Sequence, residues 1–345
     1  IKSKYFDSNN KVLASAVGKT ISMDEIMQMY VYIPRYKYQL FNAEDGMCVE
    51  QAINITFESK TTAKSNGTKN GEWLTHPAFT FGDKELAGIW VGKFETSNTR
   101  ELPKIVPNVS SLRDMSVSAQ FNTSRLMTTT LASTYGTSTN DDSHMMKNME
   151  WGAVAYLSSS IYGRYTNTST CIDSGCEVWI NNNSSLTTGC AGSSVDAEYA
   201  STCNAWNTAT GVNASTTGNI YGIYDMSGGA WEYVMGNYDD IIRYAGFSSM
   251  PEAKYYDKYT GTDSNSEFTT YHLGDATKET LKAKSTGQNA WYQDYGYSVD
   301  SSHPWVLRGG TYNNGSHAGV FAFSSGAGLS YFTYSFRVVL GTLKG

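Results

Sequence analysis

Two carboxylates flank a Gly-Gly pair in Asp225-Met226-Ser227-Gly228-Gly229-Ala230-Trp231-Glu232. Such a turn can bring the Asp225 and Glu232 side chains and the carbonyls of Gly228 and Ala230 to one point. That is the hard oxygen shell Ca2+ prefers, and it predicts a structural calcium ion. The same residues allow a second reading, a tight turn in which Glu232 pairs with an arginine such as Arg308 or Arg337. Neither reading calls for a catalytic cofactor. Other chemistry-bearing residues are dispersed: His76, His144, His272, His303 and His317 stand singly, whereas a catalytic metal wants several ligands together. Asp141-Asp142 and Asp239-Asp240 are adjacent acids in polar stretches. Solvation is the ordinary fate of such pairs, and no acid–base role is assigned to them.

The five cysteines are Cys48, Cys171, Cys176, Cys190 and Cys203. The last four crowd into a stretch rich in Asn, Ser, Thr and Gly, and their spacing does not fit a zinc site. The expectation is two local disulfides, Cys171–Cys176 and Cys190–Cys203, with Cys48 free. That usage favours an oxidising, extracellular location.

The stretch Trp305–Leu340 differs from the rest of the chain. Between Arg308 and Arg337 there is no Asp, Glu, Lys or Arg, only Tyr, Phe, Ser, Gly, Asn, Thr, one His and a few apolar residues. Tyrosine offers wide amphipathic contact at low rotamer-entropy cost, and Ser, Gly and Asn offer adaptable hydrogen bonds, as in an antibody paratope. A Gly/Ser-rich surface loop is the plainer alternative, although loops this long are uncommon unless functional or disordered.

A chain of 345 residues with net charge −6 can bury a large core but lacks the clustered Lys and Arg that nucleic acid or an anionic membrane would attract. No apolar run approaches the roughly 20 residues of a membrane span. The sequence begins at Ile1 and has no signal-peptide pattern, so a mature or trimmed form is expected, with any anchor upstream.

The elements that must position these residues are short. Ser22 and Glu25 have capping-box spacing and predict a helix over 23–29. Strands are predicted at 30–33, 36–40 and 52–57, with Pro34 at a bend, and strand-like pattern fills 76–95. A helix is expected within 117–131, and helical spacing of Met149, Ala153, Tyr156, Leu157 and Ile161 predicts another over 145–160. The Cys-containing region reads as irregular. A last helix is expected near 276–283, with Asp275 as its N-cap. Many short strands, few helices, eight Trp and 25 Tyr indicate a loop-heavy α+β domain. No linker divides it: 1–29 reads as a lead segment and 30–345 as one domain.

Gly218–Val234, GNIYGIYDMSGGAWEYV, is similar to a signature of the formylglycine-generating enzyme (sulfatase-modifying factor) family, N-x-Y-G-L-x-D-M-x-G-N-V-W-E-W. Other landmarks follow in that family's order. Tyr32-Ile33-Pro34 resembles its opening strand, and Gly88–Glu95 its "FxIGKYEVTN" strand. Glu150–Tyr156 resembles its "SWEDAxAYC" helix, Leu307-Arg308-Gly309-Gly310 its "VxRGGSW", and Phe336-Arg337 its "GFRxA". The resemblance spans about 30–340 and implies a C-type-lectin-like fold. It also places the family's calcium ligands at Asp225, Gly228, Ala230 and Glu232. The oxidising members carry two cysteines soon after the "RGG", and no Cys follows Cys203 here, so the thiolate chemistry is missing.

What remains resembles the variable proteins of diversity-generating retroelements, which put randomised residues on a lectin-like scaffold between "RGG" and "FR". The resemblance implies a variable segment over about 305–340. It implies an exposed, ligand-facing set made of Thr311, Tyr312, Asn314, Ser316, His317, Ser324, Ser325, Ala327, Leu329, Ser330, Tyr331, Phe332, Thr333 and Tyr334. Trp231, Trp305 and Phe336 are expected as core anchors, and Arg308 and Arg337 as braces. The expected protein is a non-enzymatic adhesin or receptor-binding module on a bacterial surface, pilus or phage tail. Its partner would be a protein or glycan on another cell, virus or host. A catalytic relative of the formylglycine-generating enzymes and a structural pilus subunit are the alternatives.

Overall fold

A computed structural model describes residues 5, 7, 11–43, 47–138, 140–165, 175–261, 272–283 and 287–342. Strands outnumber helices, and the fold is mixed α and β in the α+β sense. Two sheets dominate. In the first, Tyr30–Pro34, Gly88–Gly92, Val338–Thr342 and Asp141–Met145 lie side by side, all antiparallel. In the second, the order is Asp257–Tyr259, Trp231–Tyr238, Trp305–Gly309 and Gly319–Gly326, and Tyr334–Phe336 pairs parallel to Trp231–Tyr233. A smaller sheet joins Ile55–Phe57, Tyr36–Gln39 and Trp73–Thr75. No helix among the described residues is long and apolar enough to cross a membrane.

The helix Asn148–Ser158 lies against the second sheet. The spacing of its apolar residues suggested a one-sided stripe, yet every residue but Leu157 is buried. It starts at Asn148 because Met145 still belongs to a strand. Glu150 then caps the first turn by accepting from the Lys147 N–H at 2.8 Å. Trp151 donates from Nε1 to the Val320 carbonyl at 2.8 Å, tying the helix to the second sheet. At the far end, Tyr38 and Tyr156 hydroxyls both donate to Glu279, at 2.9 and 2.8 Å.

Two helices expected from sequence are single 3-10 turns. Met23–Glu25 ends because Ser22 makes no capping bond to the backbone and spends its hydroxyl on Asp24. Gln28 then bridges Ile105, and Tyr30 enters the sheet. Near 276–283 only Lys278–Thr280 turns, while Asp275 accepts from the Thr277 N–H and hydroxyl. The helix expected within 117–131 runs from Val117 to Arg125.

Two buried polar clusters join the elements. Arg337 pairs with Glu232, Nε to Oε2 at 3.1 Å and Nη2 to Oε1 at 2.5 Å, with both side chains fully buried. Its remaining donors reach the carbonyls of Gly92 and Tyr224 at 2.8 and 2.9 Å. His144 lies between Asp142 and Glu150, 2.9 Å from each. Burial works against its protonation, but the two carboxylates outweigh that and raise its pKa to about 9.

Removing one partner of a buried ion pair leaves the other charge uncompensated. Arg337→Ala should therefore lower unfolding free energy by about 3–5 kcal/mol in urea titrations. His144 is raised in the folded state above its ordinary 6.5. Its stabilisation is thus complete below that value and is lost as pH rises through about 9. Stability measured from pH 6.5 to 9 should fall in the native chain, and less steeply in His144→Gln.

Candidate functional site

At the end of the Trp305–Gly309 strand, Gly309 and Gly310 both take positive φ, 88° and 80°. A Cβ on Gly310 would sit 2.6 Å from Ala318, so this turn excludes larger residues. The turn sends 311–318 back toward the Gly319–Gly326 strand. Tyr312 N–H donates to the Gly229 carbonyl at 2.8 Å, which docks the loop on the Gly228-Gly229 turn. Because Trp231–Tyr238 runs antiparallel to Trp305–Gly309 and parallel to Tyr334–Phe336, the 311–318 loop and the start of the last stretch lie at the same end of the sheet.

Further along, 327–334 is threaded across the scaffold by backbone bonds. Gly328 N–H donates to the Tyr233 hydroxyl at 3.2 Å, and Val117 N–H to the Gly328 carbonyl at 3.2 Å. Asp114 N–H donates to the Tyr331 carbonyl, Arg113 to that of Phe332, and Ser335 Oγ to that of Leu112. With the main chain held, the side chains project. Leu329, Tyr331 and Phe332 are 42%, 46% and 56% exposed. Tyr331 contacts Phe332 at 4.7 Å and Tyr334 at 5.1 Å between ring centroids, and Tyr334 meets buried Tyr233 edge-on at 5.1 Å.

Of the expected ligand-facing residues, Leu329, Ser330, Tyr331 and Phe332 are exposed. Tyr312, Asn314, Ser316, His317, Ser324, Ser325, Ala327 and Tyr334 are half-buried. Thr311 and Thr333 are corrections, at 6% and 7% exposure. Thr311 turns inward because its N–H and hydroxyl are taken by Asn314 and Asn313. Thr333 is covered as the chain re-enters the sheet at Tyr334. Much of 319–326 is also interior strand, with Val320, Phe321, Ala322 and Phe323 buried.

Other aromatic residues border this surface from outside the segment. Trp231 was expected in the core, yet it is half-buried and stacks with Tyr295 at 6.3 Å. Tyr295 also contacts Tyr297 at 5.7 Å and His317 at 5.1 Å, and Tyr199 meets Tyr312 at 6.2 Å. Trp231 is the register neighbour of Tyr334, which places the Tyr295 and Tyr331 groups at the same end of the sheet, together an aromatic crest. The alternation of Tyr295 and Tyr297 was the sequence signal for an edge segment. Tyr295 and Tyr297 exchange backbone hydrogen bonds with Phe323.

Trp305 and Phe336 are buried as expected, and so is Arg308, whose guanidinium donates to the Ala276 and Val320 carbonyls and lies over Trp151 and Phe323. Arg308 and Arg337 are thus buried at the two ends of the segment, each bonded to backbone carbonyls.

The residues expected to hold calcium form a different arrangement. Asp225 accepts from Asn181 Nδ2 at 2.8 Å and from the Gly189 N–H at 2.8 and 3.0 Å. Both Glu232 oxygens are engaged by Arg337. Gly228 and Ala230 donate their N–H groups, to the Gly309 carbonyl and to Glu95 Oε1. Burial raises the pKa of Glu95, Asp225 and Glu232, the last to about 7. In this structure the oxygens of Asp225 and Glu232 are turned to protein donors, and Arg337 supplies positive charge beside Glu232. No group of three His, Cys, Asp or Glu suited to a metal occurs among the described residues.

Cys190 and Cys203 form the expected disulfide, and the half-buried Cys48 accepts a hydrogen bond from Gln51 Nε2 at its sulfur. Cys176 is also disulfide-bonded; the expected pairing to Cys171 involves a residue outside those described. Between Cys190 and Cys203 lies Tyr199, so the disulfide secures one edge of the crest.

No family model matches the chain, and no curated protein matches it. Among solved structures, Treponema denticola variable protein 1 is similar at 13% identity, over 58% of this chain and 48% of that one, with a TM-score of 0.25. The chain thus corresponds to about half the length of that protein, and a likeness at this level does not define the fold.

Closing a loop of this length stabilises a chain by about 3 kcal/mol in the loop-entropy account. Cys190→Ser/Cys203→Ser should lower the unfolding free energy by about that amount. Limited proteolysis should show new cleavage within 191–202.

Proposed function

We propose that this chain is a non-enzymatic ligand-binding protein of the kind its motifs resemble, a variable protein of a diversity-generating retroelement with a C-type-lectin-like fold. On this reading it acts outside the cell, as an adhesin or receptor-binding surface, and the partner is a protein or surface glycan on another cell, virus or host. The observation that carries the proposal is the uncharged aromatic crest on a hydrogen-bonded base. Tyr331, Phe332 and Leu329 are exposed while the backbone beneath them is tied to 112–117 and Tyr233. Aromatic side chains presented from a fixed main chain lose little entropy on binding, which is how a few contacts come to dominate affinity.

The absence of a Cys after Cys203 favours binding over the oxidation chemistry of the formylglycine-generating enzymes. The buried Glu232–Arg337 pair and the Gly309-Gly310 turn occupy the motifs that suggested the scaffold. They hold the frame in place and leave the segment between them free to differ.

The test uses fluorescently labelled full chain on intact bacterial and host cells, read by flow cytometry. Each of Tyr331→Ala, Phe332→Ala and Tyr334→Ala should weaken saturable binding by about 30-fold, the equivalent of about 2 kcal/mol. Melting temperatures should change little for the two exposed residues. Binding that survives all three substitutions together would sink the proposal. Turnover of a cysteine-containing peptide with copper or iron would replace it with the catalytic reading. In the flanking DNA, a reverse transcriptase and a near-copy of the final segment differing at adenines are expected.

A further inference from the structure

A cleft of about 430 Å³ opens between the Met23–Glu25 turn, the Ser97–Asn98 and Pro103–Lys104 hairpin, and the 106–109 and 206–207 stretches. It shares no residue with the aromatic crest, and its volume is in the range of small-molecule sites. Its composition differs from the crest as well. One wall is Trp206, half-buried, with Lys93 Nζ 5.2 Å from the ring centroid and Phe94 and Tyr224 meeting the indole edge-on. Met23, Ile26, Val106, Pro107 and Val109 make much of the remaining lining apolar, and Ser97 and three carboxamides supply its neutral polar groups. The Asn108 and Asn207 side chains are exposed and make no hydrogen bond among the described residues. Asn98 gives one Nδ2 hydrogen to the Leu102 carbonyl at 2.6 Å and keeps its oxygen as an acceptor. The two charged residues in the lining, Asp24 and Lys104, are of opposite sign.

These features select among ligand chemistries. A phosphorylated or sulfated ligand would call for several cations, and the lining has one. A purely apolar ligand would suit Met23, Ile26, Val106, Pro107 and Val109 but would leave any amide it covers without a partner, at a cost for each. A pyranose ring suits both parts. Its C–H face can lie on an indole, and its hydroxyls, each both donor and acceptor, match carboxamides that are likewise both. We infer that this cleft binds an uncharged saccharide unit, through Trp206 and the Asn98, Asn108 and Asn207 amides, independently of the crest and without a metal ion.

The experiment is saturation-transfer NMR and titration of the full chain with a panel of neutral mono- and oligosaccharides. A parallel panel of sulfated and phosphorylated sugars and of short neutral peptides is run beside it, with EDTA present throughout. At least one neutral saccharide should bind with Kd below about 10 mM. Asn207→Ala, whose side chain is exposed and outside the core, should weaken that binding about tenfold, and Trp206→Ala should abolish it. Because Trp206 packs on Phe94 and Tyr224, Asn207→Ala decides the matter if Trp206→Ala fails to fold. Saccharide binding that falls with Tyr331→Ala or Phe332→Ala and not with Asn207→Ala would belong to the crest and would overturn the assignment to the cleft. The inference is overturned if no neutral saccharide binds, if binding is indifferent to Asn207→Ala, or if the anionic sugars or peptides bind more tightly at the same residues.

Discussion

Arg337 stands where the chain passes from one sheet to the other. The strand Tyr334–Phe336 ends beside Trp231–Tyr233 in the second sheet, and Val338–Thr342 begins beside Gly88–Gly92 and Asp141–Met145 in the first. In that single step the guanidinium bonds Glu232 of one sheet, the Gly92 carbonyl of the other, and the Tyr224 carbonyl of the loop between. The pair is wholly buried, so its desolvation offsets much of its attraction. What the pair contributes is geometric. A planar fork with directed donors fixes the spacing and rotation of two sheets that hydrophobic packing alone would hold less specifically.

Everything presented to solvent at this end of the molecule follows from that junction. Glu232 and Trp231 are neighbours on one strand, so the side chain facing inward locks the pair while the next one faces the crest. The Gly228-Gly229 turn accepts from Tyr312 N–H and donates to the Gly309 carbonyl, and in this way it carries the 311–318 loop. Backbone bonds from Asp114 and Val117, the Tyr233 hydroxyl accepting from Gly328 N–H, and a side-chain bond from Arg113 then carry 328–332. Many polar groups of the frame are consumed in holding main chain, while Leu329, Tyr331 and Phe332 face solvent.

Several parts of this arrangement were legible in the residues. The absence of charge between Arg308 and Arg337, the Gly pairs and the tight Cys190–Cys203 spacing each have a local physical meaning that survives in the fold. Local spacing failed where a competing partner was distant in sequence. Ser22 and Glu25 have the right separation for a cap, yet Asp24 takes the hydroxyl and Gln28 is drawn to Ile105. Asp225 and Glu232 have the right separation for a calcium turn, yet Asn181, Gly189 and Arg337 claim their oxygens. Thr311 and Thr333 have the composition of surface residues but sit where the loop folds back and where the strand resumes.

The sequence by itself determined the kind of surface this protein presents: neutral, rich in tyrosine, bounded by two arginines and glycine turns. Those properties belong to residue types and to runs of neighbouring residues. Only the tertiary structure decided which of those side chains reach solvent, that Trp231, Tyr295, Tyr297 and Tyr199 join them from far along the chain, and that Glu232 answers Arg337. Such pairings depend on two sheets meeting at one angle, and short-range spacing holds no record of that angle.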